Sequence, residues 1–119
     1  MVLPLLAVLL AVAHPPAAYI DTGTKHVPLN VSGWCWGTHC GAPIDASKHT
    51  VTVRRGSTVL VELAFAPTSA QVAVNGRKTT VTRHGSELTW TATQPGGLTI
   101  EVRRGRNFIV YVGRLKLRA

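Results

Sequence analysis

Residues 32–43 read SGWCWGTHCGAP and carry the residue types with the most chemistry to offer. They hold both cysteines of the chain, Cys35 and Cys40, together with two tryptophans and a histidine. In an oxidising compartment such a pair is typical of a disulfide, and closing so short a loop stabilises a fold by about 2 kcal/mol. We therefore expect a Cys35–Cys40 disulfide that acts as a local staple.

Two other kinds of chemistry remain open to this segment. Zinc is held by thiolates and imidazoles at short sequence gaps, so Cys35, His39, Cys40 and His49 form an alternative ligand set. The adjacent His39 and Cys40 side chains point apart in an extended chain, which hinders joint ligation. A thiol-redox centre commonly uses a Cys-x-x-Cys motif at a helix start, whereas here four residues intervene and no helical pattern follows. A small metal-binding or thiol-redox protein is the alternative function.

Trp34 and Trp36 flank Cys35 and would face the same side of a strand. Either both indoles cap the core, or both form an exposed shelf on which sugar rings or lipid headgroup regions stack. In the second case the two tryptophans are ligand-binding residues.

The sequence has no recognisable catalytic motif. It contains no Gly-x-Ser-x-Gly elbow, no glycine-rich phosphate loop and no His-Glu-x-x-His zinc helix. No motif pairs the five acidic residues, and the mid-strand acids Glu62 and Glu101 are expected to be solvent-exposed or paired with arginine. We therefore predict a protein that is not an enzyme and needs no cofactor.

Charge indicates the kind of partner. The 119 residues include thirteen Lys and Arg against five Asp and Glu, for a net charge of +8. Such an excess favours polyanions as neighbours. For an exported chain, an anionic cell-envelope polymer or glycan is a better candidate partner than nucleic acid.

The N-terminus predicts export. Residues 2–13, VLPLLAVLLAVA, are uninterruptedly apolar but shorter than the roughly 20 residues that span a bilayer. The run suits a signal segment over residues 1–18, cleaved after Ala13 or Ala18, although no basic residue precedes it. Membrane association through this segment is expected only if it stays uncleaved. Residues 14–26, HPPAAYIDTGTKH, contain Pro, Ala, Gly and polar residues without periodicity, and we expect a linker over residues 19–26.

From residue 27 onward the pattern is that of short strands. Apolar and polar residues alternate in runs such as HTVTVRR, STVLVELAF, ELTWTATQ and LTIEVRR, and turn signals such as Asn75-Gly76 and Pro95-Gly96 separate them. Residues 78–84, KTTVTRH, read as one polar strand with Val81 inward. Seven or eight such strands predict an all-β, antiparallel, immunoglobulin-like sandwich over residues 27–119.

Two stretches carry a resemblance to known proteins. GSTVLVELAFAPTSAQVAV and TATQPGGLTIEVRRG resemble small immunoglobulin-like domains of exported bacterial proteins, and the cysteine-tryptophan segment is similar to segments of uncharacterised secreted proteins of high-GC bacteria. The likeness covers residues 27–117. It implies the sandwich fold and no activity, because such domains serve many roles. The two cysteines lie too close in sequence to join two sheets as in antibody domains.

Strict alternation of strand direction places the turns at two ends of the sandwich. One end receives Arg54-Arg55, Arg77-Lys78 and Pro95-Gly96. The other receives the cysteine loop and the turns at Arg83-His84 and at residues 103–106. Cations beside indoles suit an anionic polymer or glycan. The candidate ligand-binding residues are Trp34, Trp36, Arg83, Arg103, Arg104 and Arg106.

Overall fold

The computed structural model of the chain describes residues 15–41 and 49–119. These residues form twelve β-strands and no helix, which confirms the predicted all-β class. The strands are β1 (Ala18–Asp21), β2 (His26–Pro28), β3 (Asn30–Trp36), β4 (His39–Gly41), β5 (Thr50–Arg54), β6 (Thr58–Leu63), β7 (Ser69–Val74), β8 (Arg77–Thr79), β9 (Thr82–His84), β10 (Glu87–Thr91), β11 (Gly96–Arg104) and β12 (Asn107–Arg118).

The strands form two sheets that pack as a sandwich. The first, sheet A, has the order β2-β1-β6-β10-β9. The second, sheet B, has the order β4-β3-β12-β11-β7-β8, and β5 also pairs with β12. Every pairing is antiparallel except that of β5 with β12, which is parallel. The predicted two-layer sandwich is therefore confirmed, with more strands than the expected seven or eight.

The core consists of the apolar residues that alternation assigns to the inner faces. Along β12 the alternate residues Ile109, Tyr111, Gly113 and Leu115 are buried, while Val110, Val112 and Arg114 between them are more exposed. The inward positions of β6, β10 and β11 behave in the same way. Burying one large apolar side chain contributes roughly 1.5–3 kcal/mol, so this shared interior is what fixes the register of both sheets.

The segment predicted as a linker is part of the sandwich, so the linker prediction is wrong. Residues 18–21 form β1, which pairs with β6 on one side and with β2 on the other. Ala18 and Ile20 are buried in the core. The strand was missed because only two of its residues point inward, too few for a period-two pattern to stand out.

The start of the described chain is held by a buried tyrosine. The Tyr111 hydroxyl donates a hydrogen bond of 2.6 Å to the carbonyl oxygen of Pro16, and burial raises the Tyr111 pKa above its usual value. Residues 1–14 of the predicted signal segment lie outside the described residues. Of the two predicted cleavage positions, only the one after Ala13 keeps both this acceptor and the buried Ala18.

Residues 78–84 are divided between the two sheets, so the prediction of a single strand there is wrong. β8 ends at Thr79 in sheet B, and β9 begins at Thr82 in sheet A. Val81 lies between them and packs against the core. The chain thus changes layer within two residues, and both short strands become sheet edges.

Local sequence explains two irregular features. Asn75 and Gly76 join β7 to β8 with φ values of 53° and 77°, as a two-residue hairpin turn of type I′ requires, and Asn and Gly tolerate these values best. In β3, the register against β12 shifts between Val110 and Tyr111. This bulge changes the parity of β3, so that Val31 and Trp34 are both buried although three positions apart.

Candidate functional site

The Cys35–Cys40 segment is a disulfide-bridged hairpin. Cys35 in β3 and Cys40 in β4 lie directly opposite each other, and their sulfur atoms are 2.06 Å apart. The predicted Cys35–Cys40 pair is therefore confirmed. The bridge closes the short hairpin whose free edge is β4, so its effect is local, as a staple requires.

The two indoles of this segment pack inward. Trp34 is only 7% exposed and belongs to the core. Its ring lies against Gly41 in β4, where an added Cβ would come within 2.5 Å of the indole, so only glycine fits opposite it. Trp36 is half-buried, with its ring centroid 4.7 Å from that of Phe65. Of the two predicted alternatives, core capping is therefore the one observed, and no exposed indole shelf forms.

The predicted clustering of turns at the two ends is observed. At the cysteine end, the Gly37 amide donates to the Asn107 side chain at 2.9 Å, and the Thr68 amide donates to the Arg103 carbonyl at 2.7 Å. At the opposite end, the Arg55 side chain donates to the Thr93 carbonyl at 3.2 Å. The arrangement of the loops thus follows from strand alternation alone.

Two of the four arginines predicted to bind ligand at the cysteine end are engaged within the protein. Arg83 donates a hydrogen bond of 2.8 Å to the Pro67 carbonyl. Arg103 forms an ion pair of 2.9 Å with Glu101, and its guanidinium lies 5.5 Å from the centre of the Phe108 ring. Arg104 and Arg106 are exposed at the turn between β11 and β12. Without an indole shelf, this end offers two guanidinium groups that have no partner within residues 15–41 and 49–119, rather than a composite site.

The alternative zinc ligands do not converge. Cys35 and Cys40 are bonded to each other. The His49 carbonyl accepts a hydrogen bond of 2.9 Å from the Arg114 amide, so His49 lies at the level of Arg114 on β12. Cys35 lies opposite Phe108, which is six residues earlier on the same strand. At 3.3 Å per residue this separates the two levels of the sheet by about 20 Å. Within residues 15–41 and 49–119, no group of three His, Cys, Asp or Glu residues is arranged to hold a metal ion.

A row of cations that the sequence analysis did not select lies on sheet B. Arg114, Lys116 and Arg118 point outward from the last half of β12, and all three are exposed. Arg54, at the end of β5, lies directly opposite Arg118 in the parallel register. We call these four residues the cation row. The signal for it was present in GRLKLR, where cations alternate with buried or half-buried residues.

The cation row is free of carboxylate partners among the described residues. Where both partners are described residues, the ion pairs are Glu101 with Arg103 and His26 with Glu62, the latter at 3.5 Å. Glu101 thus has the arginine partner that was predicted for the mid-strand acids, whereas the partner of Glu62 is a histidine, which was not predicted. The positive charge of the row is therefore not neutralised within the described residues.

Two acidic residues lie side by side on sheet A. Glu62 in β6 and Glu87 in β10 are directly opposed, so the register brings together two carboxylates that no motif connects. His84 lies opposite Glu87 on the far side, and Tyr19 lies opposite Glu62 on the near side. Directly opposed like charges are mildly destabilising. The outer faces of the two sheets thus differ in charge.

Comparison with known protein families, with curated proteins and with solved structures finds no match to this chain. In the part of the chain that the structure describes, no helix is long and apolar enough to cross a bilayer.

Proposed function

We propose that the chain is a non-catalytic, exported module of the cell envelope that binds an anionic surface polymer or glycan through the cation row. The observation that carries the proposal is the alignment of Arg114, Lys116 and Arg118 along one strand, with Arg54 beside them and no carboxylate paired to any of them in the described residues.

The spacing of the row favours a linear ligand. Alternate residues of a strand are about 7 Å apart, so the three β12 cations extend over roughly 13 Å. A compact anion would contact one or two of them, whereas an extended polyanion can contact all. Each contact that displaces a bound counterion adds affinity that falls with salt.

Export is supported by two features of the chain. Disulfides persist in oxidising compartments and are rare in the cytoplasm, and both cysteines are bridged. The apolar run at residues 2–13 has the length of a signal segment rather than of a membrane span. An anionic envelope polymer is the polyanion that an exported protein meets most directly.

The test compares two triple variants that remove the same charge. R114Q/K116Q/R118Q removes three members of the row, and R103Q/R104Q/R106Q removes three arginines at the β11–β12 turn. Binding to hyaluronate, an anionic glycan, and to neutral dextran is measured by calorimetry at low and at moderate salt.

We expect the native protein to bind hyaluronate and not dextran. The first triple variant should bind hyaluronate about tenfold more weakly at low salt, and the second within about threefold of native. Equal losses in the two variants would show that bulk charge alone drives binding, and binding to dextran would exclude an electrostatic origin.

A further inference from the structure

A cleft of about 340 Å³ opens beside the cation row, where an edge of sheet A meets an edge of sheet B. One wall is formed by β5 and by Ser57 and Thr58 that follow it. The other is formed by the β1–β2 hairpin, from Asp21 to Val27. The volume lies at the lower end of the range of small-molecule sites. Arg54 and Arg118 belong both to the cleft lining and to the cation row.

Three of the hydroxyl groups that line the cleft have no hydrogen-bond partner within the described residues. Thr50, Thr52 and Thr58 are exposed and form no side-chain hydrogen bond within the described residues. Ser57 and Thr22, by contrast, are engaged with the Arg54 carbonyl and the Lys25 amide, respectively. A free threonine hydroxyl can both donate and accept, which suits a ligand that itself carries hydroxyl groups.

The charges around the cleft complete its chemistry. Lys25 joins Arg54 and Arg118, and Asp21 is the single carboxylate in the lining. The Asp21 Oδ1 atom accepts the Gly23 amide at 2.8 Å, which leaves its second oxygen available as an acceptor. Three cations against one acid favour an anion, and guanidinium groups bind carboxylates and phosphates with two parallel hydrogen bonds.

We propose that this cleft is a subsite for one unit of the polymer, and that the unit carries an anionic group next to several hydroxyl groups. A uronate residue and a polyol phosphate share this chemistry. The anionic group binds Arg54 and Arg118, and the hydroxyl groups bind Thr50, Thr52 and Thr58. The inference rests on the proposed function, because the cleft and the cation row would hold one continuous chain.

The test uses small probes and a variant that keeps every cation. Amide shifts are followed by NMR while glucuronate, glycerol phosphate, glucose or inorganic phosphate is added. T52V/T58V removes two hydroxyl groups with little change in shape. T91V/T99V removes two hydroxyl groups from exposed threonines outside the cleft lining and is the matched control.

We expect glucuronate or glycerol phosphate to shift the amides of residues 50–54 and 57–58, and the one that binds more tightly identifies the source of the anionic group. Glucose and inorganic phosphate should bind at least about fivefold more weakly. T52V/T58V should weaken the preferred probe by about fivefold to tenfold, and T91V/T99V by less than twofold.

Failure of this inference is separable from failure of the proposed function. If neither anionic probe shifts the cleft amides, if glucose or inorganic phosphate binds as tightly as the preferred anionic probe, or if both double variants behave alike, the subsite is overturned. Hyaluronate binding that still depends on Arg114, Lys116 and Arg118 would then leave the proposed function intact. Loss of both would overturn the two proposals together.

Discussion

The two halves of β12 share one inner face and differ on the outside. Inward residues are buried along most of the strand, from Ile109 to Leu115. Outward residues are apolar and half-buried in the first half, at Phe108, Val110 and Val112. In the second half they are the exposed cations Arg114, Lys116 and Arg118.

Neighbouring strands account for this difference. The first half lies between β3 and β11, so its outward side chains are crowded from both sides. Pairing with β11 ends at Leu115, and beyond it β12 is flanked by β5 alone. One strand is thus crowded by neighbours at one end and presents exposed cations at the other. The parallel pairing with β5 is what holds the second half in place.

The largest effect is expected from removing the disulfide beside the first half. C35A/C40A should lower the free energy of unfolding by about 2 kcal/mol, because the unfolded chain regains the entropy of an open loop. Hyaluronate affinity should stay within twofold of native, because the bridge is distant from the cation row. Urea unfolding and calorimetry give the two values.

Reduced native protein is the control for the disulfide variant and should lose the same stability. A fall in hyaluronate affinity that accompanies the loss of the bridge would show that the first half takes part in binding. The functional distinction between the halves would then be lost.

A smaller effect is expected from the inner face that both halves share. Y111F removes the hydrogen bond to the Pro16 carbonyl and should cost about 1 kcal/mol near neutral pH. Tyr111 also makes the free energy of unfolding depend on pH in the alkaline range. Burial raises its pKa in the folded protein, so its contribution is complete below the usual tyrosine pKa and is lost as pH rises above it.

Above about pH 10, native protein should therefore lose stability more steeply than Y111F, by up to about 1.4 kcal/mol for each pH unit. Urea unfolding of both proteins between pH 8 and pH 11 measures the difference, and other titrating groups cancel in the comparison. Parallel pH profiles would mean that Tyr111 ionises as readily in the folded chain as in the unfolded one.

The interior of this molecule was largely predictable from the sequence, because each inward position reflects its own local alternation. The Asn75-Gly76 turn is a local signal of the same kind, and so is the cysteine pair. β1 was missed because its two inward residues are too few for a local pattern, and its burial depends on β6, some forty residues later in the chain. The split of residues 78–84 was missed because polar residues do not record which sheet they join.

The candidate site was less predictable, because it depends on which strands become neighbours. The arginines near the cysteine loop were expected to be free, yet Arg103 and Arg83 find partners at Glu101 and at the Pro67 carbonyl. The three β12 cations alternate locally in GRLKLR, but the place of Arg54 in the cation row depends on the parallel pairing of β5 with β12. No local sequence pattern predicts that Arg54 and Arg118, which are so far apart in sequence, lie side by side.

The most direct test locates hyaluronate on the two halves of β12 by NMR. The chemical shifts of the backbone amides are followed as the glycan is added at low salt. The shift changes at residues 108–112 are then compared with those at residues 114–118. We predict large shifts at residues 114–118 and 50–54, small shifts at residues 108–112, and reversal of the shifts on adding salt. Shifts centred on residues 103–108, or spread evenly over every exposed cation, would contradict the assignment of binding to the cation row.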